Sequence, residues 1–151
     1  MNTPDPPPTD PTDPTGDGLV QLLGIEPIEW GDGRSKLALV VDDRHLRNLP
    51  ILHGGVVATL LDSALGVAAS SVAPSDRLAV TAQLNINFIR PALPGERLLA
   101  VGEVRHSGRQ SVVAVGEVRT EANQLVATAS GTFLFTDLPT TAGSSPPTES
   151  P

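Results

Sequence analysis

Only one stretch of this chain, residues 54–72, is long enough and sufficiently free of proline to make an extended helix. It places Leu, Val and Ala on almost every face, and Asp62 is its single charged residue. A helix that is apolar nearly all round has to be covered over most of its circumference, so the rest of the chain must wrap it. From Leu78 onward the period changes to two. Val80, Ala82, Leu84, Ile86 and Phe88 alternate with Thr81, Gln83, Asn85 and Asn87, the pattern of a strand with one buried face. Three further strand-like runs follow at 96–105, 110–120 and 124–136, separated by hairpin-length joints. Before the helix, 25–30 and 35–41 flank Gly31-Asp32-Gly33-Arg34 and read as a first hairpin, preceded by a short helix over 19–24. Residues 42–52 predict a loop. Gly102, Gly116 and Gly131 interrupt the later strands and predict bulges or sharp curvature. The expected fold class is α+β: a curved antiparallel sheet wrapped around one long central helix, with an open edge that a second copy can cover.

Composition bounds the domain. Only Met1 and Ala142 among the apolar residues lie outside 19–138, whereas ten of the 15 prolines do. The ends also hold five of the 17 acidic residues and none of the ten basic ones. Residues 1–18 and 139–151 therefore read as disordered tails on a single domain at 19–138. No basic block or aromatic–basic stripe is present, which argues against nucleic-acid binding. The chain has no cysteine, so thiol catalysis and thiolate metal sites are excluded. His45, His53 and His106 are far apart and lack carboxylates at ligand spacing, so no metal is expected. No apolar run reaches membrane length and no leader pattern opens the sequence, so the expectation is a cytoplasmic protein.

The candidate chemistry gathers at the helix start. Gly54 and Gly55 expose backbone N–H groups at the positive end of a helix dipole, a setting suited to developing negative charge and equally suited to a tight turn. Asp62 lies among Leu60, Leu61, Ala64 and Leu65, so it is either paired, protonated or functional, or it sits on a narrow polar strip with Thr59 and Ser63. His53, before the turn, suits a structural role or a general base.

His53-Gly54-Gly55, the aspartate nine positions after the histidine, and Asn85-Ile86-Asn87-Phe88-Ile89-Arg90-Pro91-Ala92 together resemble the hotdog-fold acyl-CoA thioesterases. The similarity is greatest to the phenylacetate-pathway and 4-hydroxybenzoyl-CoA thioesterase group. Gly95-Glu96, Gly102-Glu103-Val104, Gly108-Arg109 and Ala129-Ser130-Gly131-Thr132-Phe133 fit in the same order, so the resemblance spans about 19–136.

That resemblance implies hydrolysis of an aromatic or medium-chain acyl-CoA to free acid and CoA. Asp62 would be nucleophile or general base, and the Gly54 N–H would face the thioester oxygen. Carboxylate and glycine amide would come from different subunits of a homodimer, which the resemblance allows to pair again into a homotetramer. Thr81 stands where relatives carry Ser or Thr near the reacting water. Relatives often carry Asn or Gln six residues before the histidine; here that position is Arg47, with Asn48 next, and Pro50 replaces a common glycine. Gly55, Arg90, Arg105 and Arg109 are candidates for contacting coenzyme A, which is part of the substrate, so no separate cofactor is expected. The departures at Arg47 and Pro50 motivate a second expectation, a non-catalytic acyl-CoA binding or sensor protein on the same fold.

Overall fold

The computed structural model describes residue 10 and residues 12–138. In chain order the elements are α1 (Gly18–Leu23), β1 (Glu26–Gly31), β2 (Arg34–Val40), α2 (Gly54–Ser70), β3 (Arg77–Phe88), β4 (Arg97–Ser107), β5 (Ser111–Thr120) and β6 (Leu125–Asp137). The strands make one antiparallel sheet in the order β1-β2-β4-β5-β6-β3. The architecture is α+β, as expected, with α2 packed across the sheet. No helix among the described residues is long and apolar enough to cross a membrane.

Local chemistry accounts for the boundaries. Asp32 and Gly33 both have positive φ (51° and 75°), the condition for the two-residue turn that joins twisted strands, and β1 and β2 meet at Gly31 and Arg34. Gly24 ends α1 in the left-handed conformation at φ 66°. The fully buried face of α2 is Val57, Leu60, Leu61, Ala64, Leu65, Ala68 and Ala69, a three-four spacing that runs the helix's length against the sheet. Phe133, Val112, Val118, Leu98, Ala100 and Leu37 supply the opposing core.

The strand glycines do something other than form bulges. Register shifts fall at 27/29, 81/83, 104/106 and 118/119 instead. Gly102 lies where α2 presses into the sheet: an added Cβ would stand 2.5 Å from the Ala64 carbonyl oxygen. The buried Ser35 hydroxyl donates to that same oxygen at 2.6 Å. Gly116 and Gly131 likewise leave room for Leu65.

The shift in β3 alters the expected pattern. Continuous alternation predicts Val80, Ala82, Leu84, Ile86 and Phe88 on one buried face. Instead Ala82 is the extra residue of a bulge, since Thr81 pairs with Phe133 and Gln83 with Thr132. Val80, Ala82 and Phe88 are exposed, while Ala79, Leu84 and Ile86 pack on the core. The bulge therefore switches the inward phase, and Thr81 points toward α2.

Two loops also depart from expectation. Within 42–52, Asp42 caps a 3-10 turn at Asp43–His45, and the His45 ring closes the reciprocal bond by accepting from the Asp42 N–H at 3.0 Å. His45 is 1% exposed, and its other ring nitrogen bonds the Leu23 carbonyl oxygen at 2.8 Å. The expected lead-in tail ends earlier than residue 18. Pro14–Gly16 form a 3-10 turn with Pro14 buried, and Gly18 already belongs to α1. The remainder of the expected tails, residues 1–9, 11 and 139–151, lies outside the described residues.

Candidate active site

The N-terminus of α2 is closed by the residue before it. His53 takes an extended conformation, and its Nδ1 accepts from the Gly55 N–H at 2.8 Å. With Nδ1 accepting, the proton of the neutral ring resides on Nε2. The His53 N–H is anchored to the His45 carbonyl oxygen at 2.9 Å, so the buried His45 fixes where the helix begins. A Cβ on Gly55 would come within 2.9 Å of His53 Nδ1, which is why glycine stands there.

This arrangement separates the two glycine amides. Gly55 spends its N–H on His53, so it has none to offer a ligand. Gly54 is exposed, and no described residue accepts from its N–H. It is the open donor at the positive end of a 17-residue helix. Phe88 lies over it, 3.5 Å from where a Cβ would stand. Arg47 and Asn48 border a cavity of about 500 Å³ with Leu52, His53 and Gly54, so both residues in the departing loop reach the same turn.

Asp62 is half-buried, on the strip of α2 that also carries Thr59, Ser63 and Gly66. Thr81 Oγ1 donates to Asp62 Oδ1 at 2.8 Å, which is the consequence of the bulge at Ala82. Two cavities meet at this pair. One of about 390 Å³ runs toward the N-terminal segment, and one of about 400 Å³ is lined by Ala58, Thr59 and Leu84; Asp62, Ser63 and Thr81 border both.

Gly54 and Asp62 do not meet within one chain. Eight residues of α-helix separate them by roughly 12 Å along the axis, too far for both to act on one carbonyl group.

The three candidate arginines are dispersed. Arg90 borders a cavity of about 310 Å³ beside Gly54 and Phe88, but its Nη2 is committed to Glu96 Oε1 at 3.0 Å, while Nη1 is buried without a partner. Glu96 also accepts the Leu93 N–H at 2.8 Å, and that bond, aided by Arg90 against the cost of burial, holds its carboxyl below the usual range. Arg105 pairs with Glu103 at 3.6 Å and faces a separate cavity of about 860 Å³ with Trp30 and Lys36. Arg109 lies in the β4–β5 turn, at the end of the sheet opposite the Phe88–Ala127 pair. Neither Arg105 nor Arg109 borders a cavity at Asp62 or Gly54.

Sequence reasoning overlooked Phe88 over Gly54, the anchoring role of His45, and the N-terminal segment at the Asp62 cavity. Asp42-x-x-His45, at capping-box spacing, was the available signal for the second. For the third it was the doubled Asp-Pro-Thr of residues 10–15.

The thioesterase superfamily model matches residues 49–127, which contain the turn, Asp62, Thr81 and the Gly102–Gly116 pair. The chain is 30% identical over 111 residues to acyl-coenzyme A thioesterase PaaI of Escherichia coli, covering 74% of this chain and 77% of that protein. Conserved protein PA5202 from Pseudomonas aeruginosa has the same fold, with a TM-score of 0.77 and 32% identity, covering 86% of this chain and 100% of that one. The smu.793 protein of Streptococcus mutans, solved bound to acetyl CoA, superposes with a TM-score of 0.69 at 29% identity over 75% of this chain and 89% of that one.

Proposed function

The chain belongs to the thioesterase superfamily, a thioester hydrolase of the hotdog fold, and from that premise we propose that it cleaves aromatic or medium-chain acyl-CoA with Asp62 and the Gly54 N–H as its working groups. The observation that carries this reading is the Thr81-held carboxylate of Asp62 on the same helix whose first amide is unpartnered. In the general-base form, Asp62 takes a proton from water as the water oxygen bonds the carbonyl carbon. Negative charge then develops on the carbonyl oxygen, where the Gly54 N–H and the helix dipole stabilise it. Collapse breaks the carbon–sulfur bond, and the proton passes to the leaving thiolate, giving acid and CoA. In the nucleophilic form, Asp62 bonds the carbonyl carbon first, CoA leaves, and water hydrolyses the resulting mixed anhydride.

In this reading the gap of roughly 12 Å is met by taking the two groups from different copies. The sheet favours β3 as the edge through which those copies pair. The β1 edge is six residues long and carries Pro27, whereas β3 is a 12-residue edge with Val80 and Phe88 exposed. Further pairing into a tetramer belongs to the same proposal. Support for a CoA substrate comes from the relative solved with acetyl CoA and from the thioesterase PaaI, not from this chain's arginines. Of these, Arg90 is the one beside Gly54, and its Nη2 is already paired with Glu96.

The test is release of free thiol from a panel of acyl-CoAs by the unaltered protein and by Asp62→Ala. Turnover is expected to fall by at least two orders of magnitude in the variant without loss of fold or assembly. Near-normal hydrolysis by Asp62→Ala would sink the assignment. Acyl-CoA binding with no thiol release from any member supports the binding or sensor reading, which the departures at Arg47 and Pro50 motivate.

A further inference from the structure

We propose that residues 10 and 12–17 form the end wall of the acyl pocket, which selects against acyl groups bearing a terminal negative charge. The inference rests on the reading of Asp62 as the catalytic carboxylate and deepens it. The cavity of about 390 Å³ that opens beside Asp62 and Thr81 has an apolar flank from Val67, Ala79 and Gly66, and its far side is this segment. Such a volume lies at the small end of ligand pockets and suits an acyl group rather than a whole acyl-CoA. None of its lining residues is basic, so nothing there balances the phosphates of coenzyme A. The acyl group is the part of the substrate left to occupy it.

The wall is built rather than draped. Asp10 Oδ1 accepts both the Thr12 N–H (2.8 Å) and the Thr12 hydroxyl (2.7 Å). Asp13 Oδ1 repeats this on Thr15 at 2.9 and 2.7 Å. Asp17 caps α1 through the Leu19 and Val20 N–H groups, Gln21 Nε2 donates to the Thr15 carbonyl oxygen at 2.7 Å, and Pro14 is buried. The segment is thereby tied to α1, and Asp10, Asp13 and Asp17 all border the cavity together with Asp62. An acyl chain ending in a carboxylate meets four like charges; a neutral chain of equal length does not. The exposed position of the three wall carboxylates makes this discrimination sensitive to salt.

The experiment compares kcat/KM for hexanoyl-CoA and adipoyl-CoA, which share a six-carbon acyl chain and differ in the terminal carboxylate. The unaltered protein is expected to favour hexanoyl-CoA by about tenfold or more at low ionic strength, with the ratio shrinking as salt is added. Replacing Asp10, Asp13 and Asp17 together by Asn keeps the acceptor oxygens that form the turns and removes the charge. That variant is expected to lower the ratio at least threefold. A control with Glu29→Gln, Asp32→Asn and Glu121→Gln removes equal charge away from this cavity and is expected to leave the ratio alone. Equal kcat/KM for the two substrates, a salt-independent ratio, or a ratio unchanged in the Asn variant overturns the wall while leaving the hydrolase reading standing. Absence of thiol release from both substrates overturns the wall, and absence from the aromatic members of the acyl-CoA panel as well overturns the hydrolase reading.

Discussion

Thr81 and Asp62, on an edge strand and the central helix, are joined by a 2.8 Å hydrogen bond that exists because Ala82 is an extra residue in β3. The bond occupies Oδ1 and leaves Asp62 Oδ2 without a hydrogen-bond partner among the described residues.

Thr81→Val preserves the shape of the side chain and deletes the donor. Turnover is expected to fall about tenfold, with recovery in Thr81→Ser and a melting temperature near that of the unaltered protein. Steady-state kinetics beside a thermal melt check this, and unchanged kcat in the Val variant removes Thr81 from the site.

His53 acts on helix α2 as a cap, so the chemistry that replaces it matters more than its charge. His53→Asn supplies another acceptor for the Gly55 N–H and is expected to hold stability. His53→Leu cannot, and should lose about 1 kcal/mol in urea unfolding. If the Asn variant also loses most of its turnover at normal stability, the ring itself takes part in chemistry.

Gly102→Ala places a methyl group against the Ala64 carbonyl oxygen, where Ser35 already donates. Neither backbone can yield without moving α2 from the sheet, so a loss of about 3 kcal/mol is expected. Gly16→Ala, with nothing within 4 Å of the added carbon, serves as the comparison and should be nearly neutral. Denaturant midpoints for the two variants decide the matter.

Acid should weaken the 90–96 loop in a defined window. Glu96 has its folded pKa held below the ordinary 4.5, chiefly by the Leu93 N–H and then by Arg90. The unfolded chain therefore binds more protons than the folded one between those values, and stability rises with pH there. The contribution is fully present above about 4.5 and disappears as pH falls through the lower, folded value. The stability difference between the unaltered protein and Glu96→Gln is expected to be about 1 kcal/mol at neutral pH and to vanish in that acid window. A difference that persists unchanged below it removes the carboxylate's charge as the cause.

The sequence disclosed most of the fold because its signals were local. The proline-free apolar run predicts α2 to within two residues of its end, and Asp32-Gly33 marks a turn that few other pairs can make. The paired glycines and the single charge of the helix pointed to Gly54 and Asp62, the resemblance added Thr81, and the structure brings Asp62 and Thr81 into contact. What stayed hidden depends on contacts distant in sequence. The apolar alternation from Val80 to Phe88 is unbroken, so nothing in it announces the bulge at Ala82. The strand glycines carry no label for bulge or close approach until Ala64 and Leu65 are seen beneath them. Composition made residues 10–17 look like a tail, since six prolines and four aspartates precede Gly18. Their order is held by bonds between neighbours two apart, which composition does not register.

The helical span between Gly54 and Asp62 has a consequence for mixed populations of this protein. If the copies exchange half-sites, a chain disabled at Asp62 still carries a sound Gly54 amide, and a chain disabled at the turn still carries a sound carboxylate. Each is silent alone, yet a dimer containing one of each restores one working site out of two. Loss-of-function alleles at the two ends of α2 would then complement one another, while two alleles at the same end would not.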